Sequence, residues 1–326
     1  MPVLTTRLTD AGAASVAEAA ACLRGGGLVA FPTETVYGLG ADAGNAAAIA
    51  RLYAAKGRPA FNPLIAHVGD ADAAQRIARF DAPARALAEA FWPGPLTLVL
   101  PKLAGCPVAD LATAGLDTVA LRVPAHPVAL ALLRGFGGAV VAPSANLSGH
   151  VSPTCAAHVE ADLDGRIDMI VDGGAVAVGV ESTIIGCFGQ PILLRPGGLP
   201  REAIERLLGR PLLLPVEEPS SATRQPLAPG MLESHYAPRT PVRLQATGLR
   251  PGEALLAFGP TALPGLAGAA AVLNLSESGD LAEAASHLFG YLRALDAAGA
   301  TAIAVMPVPP HGLGEAINDR LRRAAA

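Results

Sequence analysis

The sequence predicts an α/β protein in which a large mixed sheet is followed by a smaller α/β domain with parallel-sheet character. The 326 residues are 51% hydrophobic and 16% charged, which is enough apolar material for one sizeable core and a second small one. Helical and strand patterns alternate, but several late strand segments follow one another through short turns, so the first sheet is not purely parallel. A Pro- and Ser-rich interval without periodicity separates the two parts at about 210–241.

The first part opens with a helix and a buried strand. Residues 13–24 carry apolar side chains at helical spacing, and three consecutive glycines end this helix. The apolar run 28–33 predicts a buried strand, and a second helix at 46–55 ends at Lys56. Similar apolar runs predict strands at 63–68, 95–101, 118–124, 139–143, 168–173, 182–188 and 191–197. Further helices are predicted at 71–79, 83–90, 126–135 and 201–208.

The chain after the Pro-rich interval alternates again between strand and helix patterns. The segments VRLQA, EALLAF, AAVLNL and TAIAVMPV predict strands, and helices are expected near 280–298 and 314–324. We therefore expect one domain at 1–210, a linker at 211–241 and a second domain at 242–326.

Composition and charge exclude several classes of protein. The mean hydropathy is +0.40, yet charges, prolines or glycine clusters interrupt every segment long enough to span a membrane. The first residues, MPVLTTRLTDAG, do not resemble a secretory signal. The four cysteines form no CxxC pair, which favours reduced thiols in a cytoplasmic protein. A net charge of −4 argues against a broad surface for long nucleic acids, so any anion site must be local.

Two arginines end or interrupt apolar strands. In TVALRVP, alternation puts Arg122 on the opposite face from Val119, Leu121 and Val123, and Arg195 ends the apolar run PILL. A buried guanidinium without a partner is very costly, so each arginine needs an anionic or carbonyl partner. A structural ion pair with one of the 28 acidic residues explains them as well as a bound anion does.

Further polar groups lie at the ends of predicted elements. Lys56-Gly57-Arg58 ends a helix, where the helix dipole alone favours cations. The loop 142–149 is rich in Ser and Asn, follows a buried strand and suits either a plain turn or a polyanion site. Glu181-Ser182-Thr183 opens another strand with three polar groups. The phosphate-loop, dinucleotide, metalloprotease and nucleophile-elbow motifs are absent from the sequence.

The order of seven segments along the chain resembles the YrdC/Sua5 family. They are FPTETVYGLGADA (31–43), KGRPAFNPL (56–64), WPGPLTLVL (92–100), ALRVPAHP (120–127), APSANLSG (142–149), ESTII (181–185) and LLRPG (193–197). The family's KxR…SxN tetrad corresponds to Lys56, Arg58, Ser144 and Asn146. The segment PGMLESHYAPRTP (229–241), followed by an extra α/β domain, resembles the longer Sua5 type. The resemblance covers essentially the whole chain.

This resemblance implies a fold and a reaction. The fold is a twisted, mixed open sheet with surrounding helices and a large, positively lined cavity, plus a smaller C-terminal Rossmann-like α/β domain. The reaction joins L-threonine, bicarbonate and ATP into threonylcarbamoyl-AMP and releases pyrophosphate, with Mg²⁺ sharing the phosphate charge. The product is the donor for threonylcarbamoyladenosine in tRNAs that read codons starting with A, so the machinery that transfers it to tRNA is the expected partner.

The same resemblance implies the residues of the site. The tetrad is the expected catalytic set, with Lys56 near the ATP phosphates. Residues expected to contact ATP are Arg58, Asn62, Thr118, Ala142, Ser144, Ser152, Arg195, His235 and Tyr236. Residues expected to hold threonine are Thr35, His67, Arg122 and Ser182, with Arg122 as a bidentate partner of the carboxylate. A core histidine is the alternative for His67. No protein ligand for a metal is expected, because Mg²⁺ would bind through the phosphates, and the linker would close over the nucleotide as a lid.

Two other functions compete with threonine activation. An RNA-binding module would need a basic face and aromatic stacking platforms, which a net charge of −4 and 4% aromatic residues do not favour. A carbamoyltransferase for metal-centre maturation shares the first domain type but carries zinc-finger cysteine pairs that this sequence lacks. Threonine activation is therefore the expected function.

Overall fold

Two sheets organise the computed structural model, in which residues 4–215 and 236–326 are described. The first sheet has ten strands and the second has four. The first mixes parallel and antiparallel pairs, whereas the pairs of the second are parallel. The predicted fold class, a large mixed α/β sheet followed by a smaller parallel one, is confirmed.

Most elements of the first unit overlap a predicted one, but the short helices at 110–113 and 156–163 were not predicted. Its strands are β1 (Arg7–Asp10), β2 (Val29–Pro32), β3 (Tyr37–Asp42), β4 (Ile65–His67), β5 (Leu96–Pro101), β6 (Thr118–Arg122), β7 (Val140–Val141), β8 (Met169–Asp172), β9 (Thr183–Gly186) and β10 (Ile192–Arg195). Its helices are α1 (Ala13–Arg24), α2 (Ala46–Lys56), α3 (Ala71–Gln75), α4 (Ala82–Phe91), α5 (Asp110–Thr113), α6 (Pro127–Phe136), α7 (Ala156–Leu163) and α8 (Arg201–Leu208).

The strand order of the first sheet is β1-β8-β2-β3-β7-β4-β6-β5-β9-β10. Strands β4 and β6 run parallel near its centre, and β9 and β10 form an antiparallel pair at one end. The chain beyond β10 still follows this sheet, because Leu213 bridges to Ile192.

Two strands of this sheet lack the apolar pattern that predicts a strand. The residues of β1 are mostly polar and exposed, since it is an edge strand that pairs only with β8. In β3, Gly38 and Gly40 weaken the strand signal. Gly40 is required by packing, because a Cβ at this position would press against the ring of Phe31.

The second unit contains β11 (Val242–Arg243), β12 (Ala254–Ala257), β13 (Val272–Asn274), β14 (Ile303–Val305), α9 (Leu281–Asp296) and α10 (Leu313–Ala324). Its strand order is β11-β14-β12-β13. One apolar cluster joins the two units, because Val36, Val151 and Val180 pack with the α9 side chains Leu288 and Phe289. The second unit therefore lies directly against the segments that form the candidate site.

Within residues 4–215 and 236–326, no helix has the length and apolar character needed to cross a bilayer.

Candidate active site

A narrow cavity of about 50 Å³ lies beside the central strands of the first sheet. Its lining residues are Thr35, Val36, Arg58, Ile65, His67, Arg122, Ala142, Pro143, Ser144, Glu181, Ser182, Arg195 and Tyr236. All four residues expected to hold threonine are among them. Five of the residues expected to contact ATP also line it, namely Arg58, Ala142, Ser144, Arg195 and Tyr236.

A larger cleft of about 640 Å³ lies elsewhere on the molecule, with Arg24, Arg76 and Arg134 among its lining residues. None of the expected site residues lines this cleft. The smaller cavity is the better candidate because buried polar groups from distant parts of the chain converge there.

Strand register brings the cavity side chains together. In the parallel pair of β4 and β6, His67 lies opposite Arg122. Both residues are the last of their strands, so they lie side by side where the two strands end. Gly38 bridges to Ser144, which holds the loop after β7 beside the start of β3. The short distance between these backbones explains why residue 38 is a glycine, since a Cβ on Gly38 would crowd the side chain of Ala142.

Arg122 is paired with Glu34. Its Nη2 donates to Glu34 Oε1 at 2.6 Å and its Nε donates to the carbonyl oxygen of Gly94 at 3.3 Å. Glu34 Oε2 accepts from the backbone N–H of Ala125 at 2.9 Å. Burial alone would raise the pKa of the Glu34 carboxyl, but the Arg122 charge and hydrogen bond lower it below its usual value. The carboxylate therefore stays ionised and fixes the guanidinium at the cavity wall.

His67 is buried and neutral. Its Nδ1 lies 3.2 Å from the carbonyl oxygen of Ile65, two residues earlier on the same strand. Burial, together with the neighbouring Arg122 charge, lowers the pKa of His67 to about 3. At neutral pH its imidazole can donate a hydrogen bond to a polar ligand or accept one from it, without adding charge to the cavity.

Ser182 and Arg195 are joined at the ends of β9 and β10. Arg195 Nη2 donates to the Ser182 carbonyl oxygen at 2.9 Å, and lies 3.3 Å from the Ser182 hydroxyl. The same hydroxyl lies 2.7 Å from Thr97 Oγ1. Burial lowers the pKa of the Arg195 guanidinium from its ordinary value. A threonine-side group and an ATP-side group thus share one hydrogen-bond network.

Lys56 lies behind the cavity and supports the loop after β7. Its Nζ donates to the carbonyl oxygen of Ser144 at 2.6 Å and also to the carbonyl oxygen of Asn146. Burial, and then the Arg58 charge, lower the pKa of Lys56 well below its ordinary value. Its expected place near the ATP phosphates stays a prediction. In this structure its ammonium is used to hold the Ser144–Asn146 backbone.

Several polar atoms near the tetrad are buried without a hydrogen-bond partner among the described residues. They are Arg58 Nε, Asn62 Oδ1 and Asn146 Oδ1. Arg58 Nη2 donates to the carbonyl oxygen of Pro63 at 3.2 Å, and Asn146 Nδ2 donates to the carbonyl oxygens of Leu147 and His150. Buried polar atoms are normally satisfied, so such a group is suited to a polar ligand.

Four residues expected to contact ATP lie outside the cavity lining, among them Asn62, whose Oδ1 is one of the unpartnered atoms named above. Thr118 begins β6, four positions from Arg122 at the opposite end of the strand, where it pairs with Pro101. Ser152 is buried behind the wall, and its Oγ donates to Glu181 Oε1 at 2.5 Å. His235 lies outside the described residues. Their contacts with ATP stay predictions.

Glu34, Glu181 and Thr97 also belong to the site, and the sequence alone does not identify them as ligand groups. Each lies within a motif that carries the family resemblance, so position in those motifs was the available signal. Their roles depend on pairings between segments far apart in the chain, such as the one between Glu34 and Arg122. A one-dimensional pattern does not specify such a pairing.

No cluster of three or more His, Cys, Asp or Glu side chains with metal-binding geometry occurs in the described parts of the chain. The carboxylates at the cavity are engaged by cations, Glu34 by Arg122 and Glu181 by Arg320. A divalent cation that arrives with a phosphate ligand would suit this cavity better than an all-protein cage.

Comparison with known proteins gives matches over nearly the whole chain. The family model described as "Telomere recombination" (Sua5, YciO and YrdC) matches residues 21–197, and the model of the threonylcarbamoyl-AMP synthase C-terminal domain matches residues 199–326. The threonylcarbamoyl-AMP synthase of Bacillus subtilis is 43% identical, over 95% of this chain and 92% of its own. That of Pyrococcus abyssi is 43% identical, over 94% and 93%.

A solved structure also resembles this chain throughout. The crystal structure of P. abyssi Sua5 complexed with L-threonine superposes with a TM-score of 0.87 at 40% sequence identity. The match covers 99% of this chain and 97% of the other.

Proposed function

Because the chain belongs to the Sua5/YciO/YrdC family and carries the Sua5-type C-terminal domain, we propose that it is an L-threonylcarbamoyladenylate synthase. It condenses L-threonine, bicarbonate and ATP into threonylcarbamoyl-AMP and releases pyrophosphate, which makes it a nucleotidyltransferase. The observation that carries this proposal is the convergence of Arg58, Arg122 and Arg195 on one cavity whose carboxylates are already paired.

The threonine subsite lies between β4, β6 and β9. Arg122 is held by Glu34 and Gly94 through Nη2 and Nε, and Nη1 makes no hydrogen bond with any described residue. This leaves part of the guanidinium for the threonine carboxylate. Neutral His67 and the hydroxyl of Ser182 supply uncharged hydrogen-bonding groups beside it, suited to an amino acid hydroxyl.

The nucleotide subsite lies on the other side of the cavity. Arg58, Ser144 and Arg195 line it, and Lys56 holds the loop that carries Ser144. A polyphosphate would compensate the charges of the two guanidinium groups and satisfy buried atoms such as Arg58 Nε. Mg²⁺, bound through the phosphate oxygens, would share the negative charge that builds up on the leaving pyrophosphate.

The chemistry requires positioning more than a nucleophilic side chain. The amino group of threonine attacks bicarbonate to give a carbamate and water. A carbamate oxygen then attacks the α-phosphorus of ATP, and the bond to the bridging oxygen of pyrophosphate breaks. Bicarbonate, the carbamate and ATP are all anionic, so the arginines reduce their repulsion and stabilise charge at the transition state.

Closure over the site is part of the proposal. Pockets that bind small molecules usually enclose about 300–1,000 Å³, whereas this cavity holds about 50 Å³. Tyr236 forms one wall and is itself buried, so a nucleotide enters when the segment that carries Tyr236 moves outward. Its return would exclude water from a mixed anhydride that hydrolyses readily.

We further propose that the reaction takes place in the cytoplasm and that the product passes to the machinery that modifies tRNA. The four cysteines are free thiols, which suits a reducing compartment. The chain does not need to hold long nucleic acids for this role, in keeping with its net charge of −4.

Mass spectrometry of a mixture of the protein, ATP, L-threonine, bicarbonate and Mg²⁺ tests the proposal. The expected product is threonylcarbamoyl-AMP, which disappears when threonine or bicarbonate is omitted. If threonylcarbamoyl-AMP never forms under these conditions, the proposed function is wrong. Tight, salt-sensitive RNA binding in a filter assay would favour the RNA-binding alternative instead.

A further inference from the structure

Arg320 of the second unit is buried at the back of the cavity wall. It lies on α10 and its side chain is 0% exposed. Nε donates to Glu181 Oε2 at 2.8 Å, and Nη1 donates to the carbonyl oxygen of Pro196 at 2.9 Å. Asp319 Oδ2 accepts a further bond from Nη1 at 2.7 Å.

These contacts join three separate segments that line the cavity. Glu181 lines it directly and precedes Ser182, while Pro196 directly follows Arg195. The guanidinium also lies over the ring of Tyr236, with its central carbon 5.3 Å from the ring centre. One side chain of the second unit thus contacts the segment of Ser182, the segment of Arg195 and the wall formed by Tyr236.

The backbones that Arg320 joins are packed too closely to tolerate displacement. A Cβ on Gly197 would collide with the backbone between Glu181 and Thr183, and Gly198 N–H donates to the Glu181 carbonyl oxygen at 2.8 Å. A shift of Pro196 is therefore transmitted to the neighbouring Ser182.

Charge gives Arg320 a second effect on the wall. Burial alone would raise the pKa of the Glu181 carboxyl, but Arg320 and then Arg195 lower it below its usual value. The paired carboxylate is therefore ionised, and its oxygens are held by Arg320 and Ser152. Without Arg320, Glu181 would be a buried anion beside Arg195, which the carboxylate would then attract away from a bound polyphosphate.

Stability alone is a poor explanation for this arrangement. A buried ion pair often contributes little net stability, because desolvation offsets the attraction between the charges. Arg320 Nη2 is also buried without a hydrogen-bond partner among the described residues. Leaving a buried donor unsatisfied adds a further cost to this arrangement.

We propose that Arg320 is a positioning residue for the threonine and nucleotide subsites, so that the C-terminal unit completes the wall of the active site. This inference rests on the proposed function and extends it. Arg320 acts through Glu181 and Pro196, and it touches neither substrate.

The test compares three variants of the full chain. Arg320→Met removes the charge and all donors, and Arg320→Lys keeps the charge but cannot bridge Glu181 and Pro196 with a planar fork. Arg201→Met is the matched control. Arg201 also contacts α10, through Glu315 at 3.5 Å, and neither Arg201 nor Glu315 lines the cavity. Thermal melting identifies the variants that fold and a temperature at which each of them stays folded.

At that temperature, kcat and KM are measured together with equilibrium binding of L-threonine and of Mg·ATP. We expect Arg320→Met to weaken binding of both ligands by about tenfold or more, which corresponds to about 1.4 kcal/mol. Arg320→Lys should recover part of this loss, and Arg201→Met should bind both ligands as the unmodified chain does.

Two results would overturn the inference. One is unchanged ligand binding and KM in Arg320→Met, whatever its melting temperature. The other, decisive if Arg320→Met does not fold, is unchanged binding and KM in Arg320→Lys. An unmodified chain that binds threonine and ATP but forms no product would contradict the proposed function instead, while the binding comparison would still decide the role of Arg320.

Discussion

Arg122 and Glu34 form a buried ion pair, with Nη2 and Oε1 2.6 Å apart, in the wall of the candidate active site. The sequence left two explanations for this arginine, a structural partner or a bound anion. The structure provides the structural partner, and the same pairing directs the guanidinium at the cavity. A structural ion pair and a ligand site are therefore compatible here.

Breaking this pair should destabilise the fold. Arg122→Met leaves Glu34 as an uncompensated buried anion, which costs about 3–5 kcal/mol in such cases. In the double variant Arg122→Met/Glu34→Gln much of the loss should return, because no charge remains unpaired. The free energy of unfolding from urea denaturation measures both effects.

The exposed pair of Arg7 and Glu18 is the control for that measurement, because its side chains are more than half exposed. Arg7→Met should change stability little, since solvent screens the interaction. Equal losses from Arg7→Met and Arg122→Met would show that burial of the Arg122–Glu34 pair has no special effect.

His67 should make stability depend on pH below neutrality. Burial lowers its pKa to about 3 in the folded protein, from an ordinary value of 6.5, so the unfolded chain binds the proton more readily between these values. Its contribution to stability is complete above pH 6.5 and falls as the pH falls towards 3. Between pH 6.5 and 5 the loss should reach about 2 kcal/mol.

A His67→Gln variant isolates this contribution. Denaturation curves at pH 7 and pH 5 should show a smaller acid-induced loss in the variant than in the unmodified chain. His158, whose pKa burial lowers to about 4, is present in both proteins, so its effect cancels in the difference. Parallel pH dependence in the two proteins would contradict a neutral, buried His67.

The sequence predicted most strands because buried strands are apolar runs, as β5 and β6 illustrate. It did not predict β3, where two glycines that close packing requires also remove the strand pattern. The order of the motifs along the chain identified most of the residues that line the cavity. The sequence could not identify Glu34 as the partner of Arg122, because apolar periodicity does not distinguish one of 28 acids from another.

The sequence contains a signal that Arg320 is buried. In α10, the buried residues Ala316 and Ala324 lie four positions on either side of it, so helical spacing places Arg320 on the buried face. An arginine on such a face needs a partner. Its partner, Glu181, is 139 positions away, and tertiary structure alone identifies it.

Lys56 should be needed for activity although it lies behind the cavity. Lys56→Met removes the donor that holds the carbonyl oxygens of Ser144 and Asn146, so the loop that carries Ser144 should shift. We expect the variant to fold and pyrophosphate release to fall about 100-fold, a loss that small misplacements of reacting groups can produce.

The other lysine of the chain is the matched control. Lys102 pairs with the exposed Asp110 at 3.0 Å and does not line the cavity. Lys102→Met should release pyrophosphate at the rate of the unmodified chain. If Lys56→Met were equally active while folded, the support of the loop by Lys56 would have no part in the reaction.

Arg58 should link nucleotide binding to stability. Its Nε is buried without a hydrogen-bond partner among the described residues, and burial lowers its pKa to about 10. Mg·ATP at 100 times its dissociation constant should stabilise the folded chain by about 2.7 kcal/mol. Arg58→Met should abolish this gain without lowering the melting temperature of the unliganded protein, because a poorly satisfied cation is replaced by an apolar chain of similar length.

Chelation of Mg²⁺ should reduce the gain in the unmodified chain, since the phosphate charge is then unshared. Arg76→Met, in the larger cleft on another part of the surface, should keep the full gain. A full ATP-dependent rise in the melting temperature of Arg58→Met would place the nucleotide away from Arg58 and from this cavity.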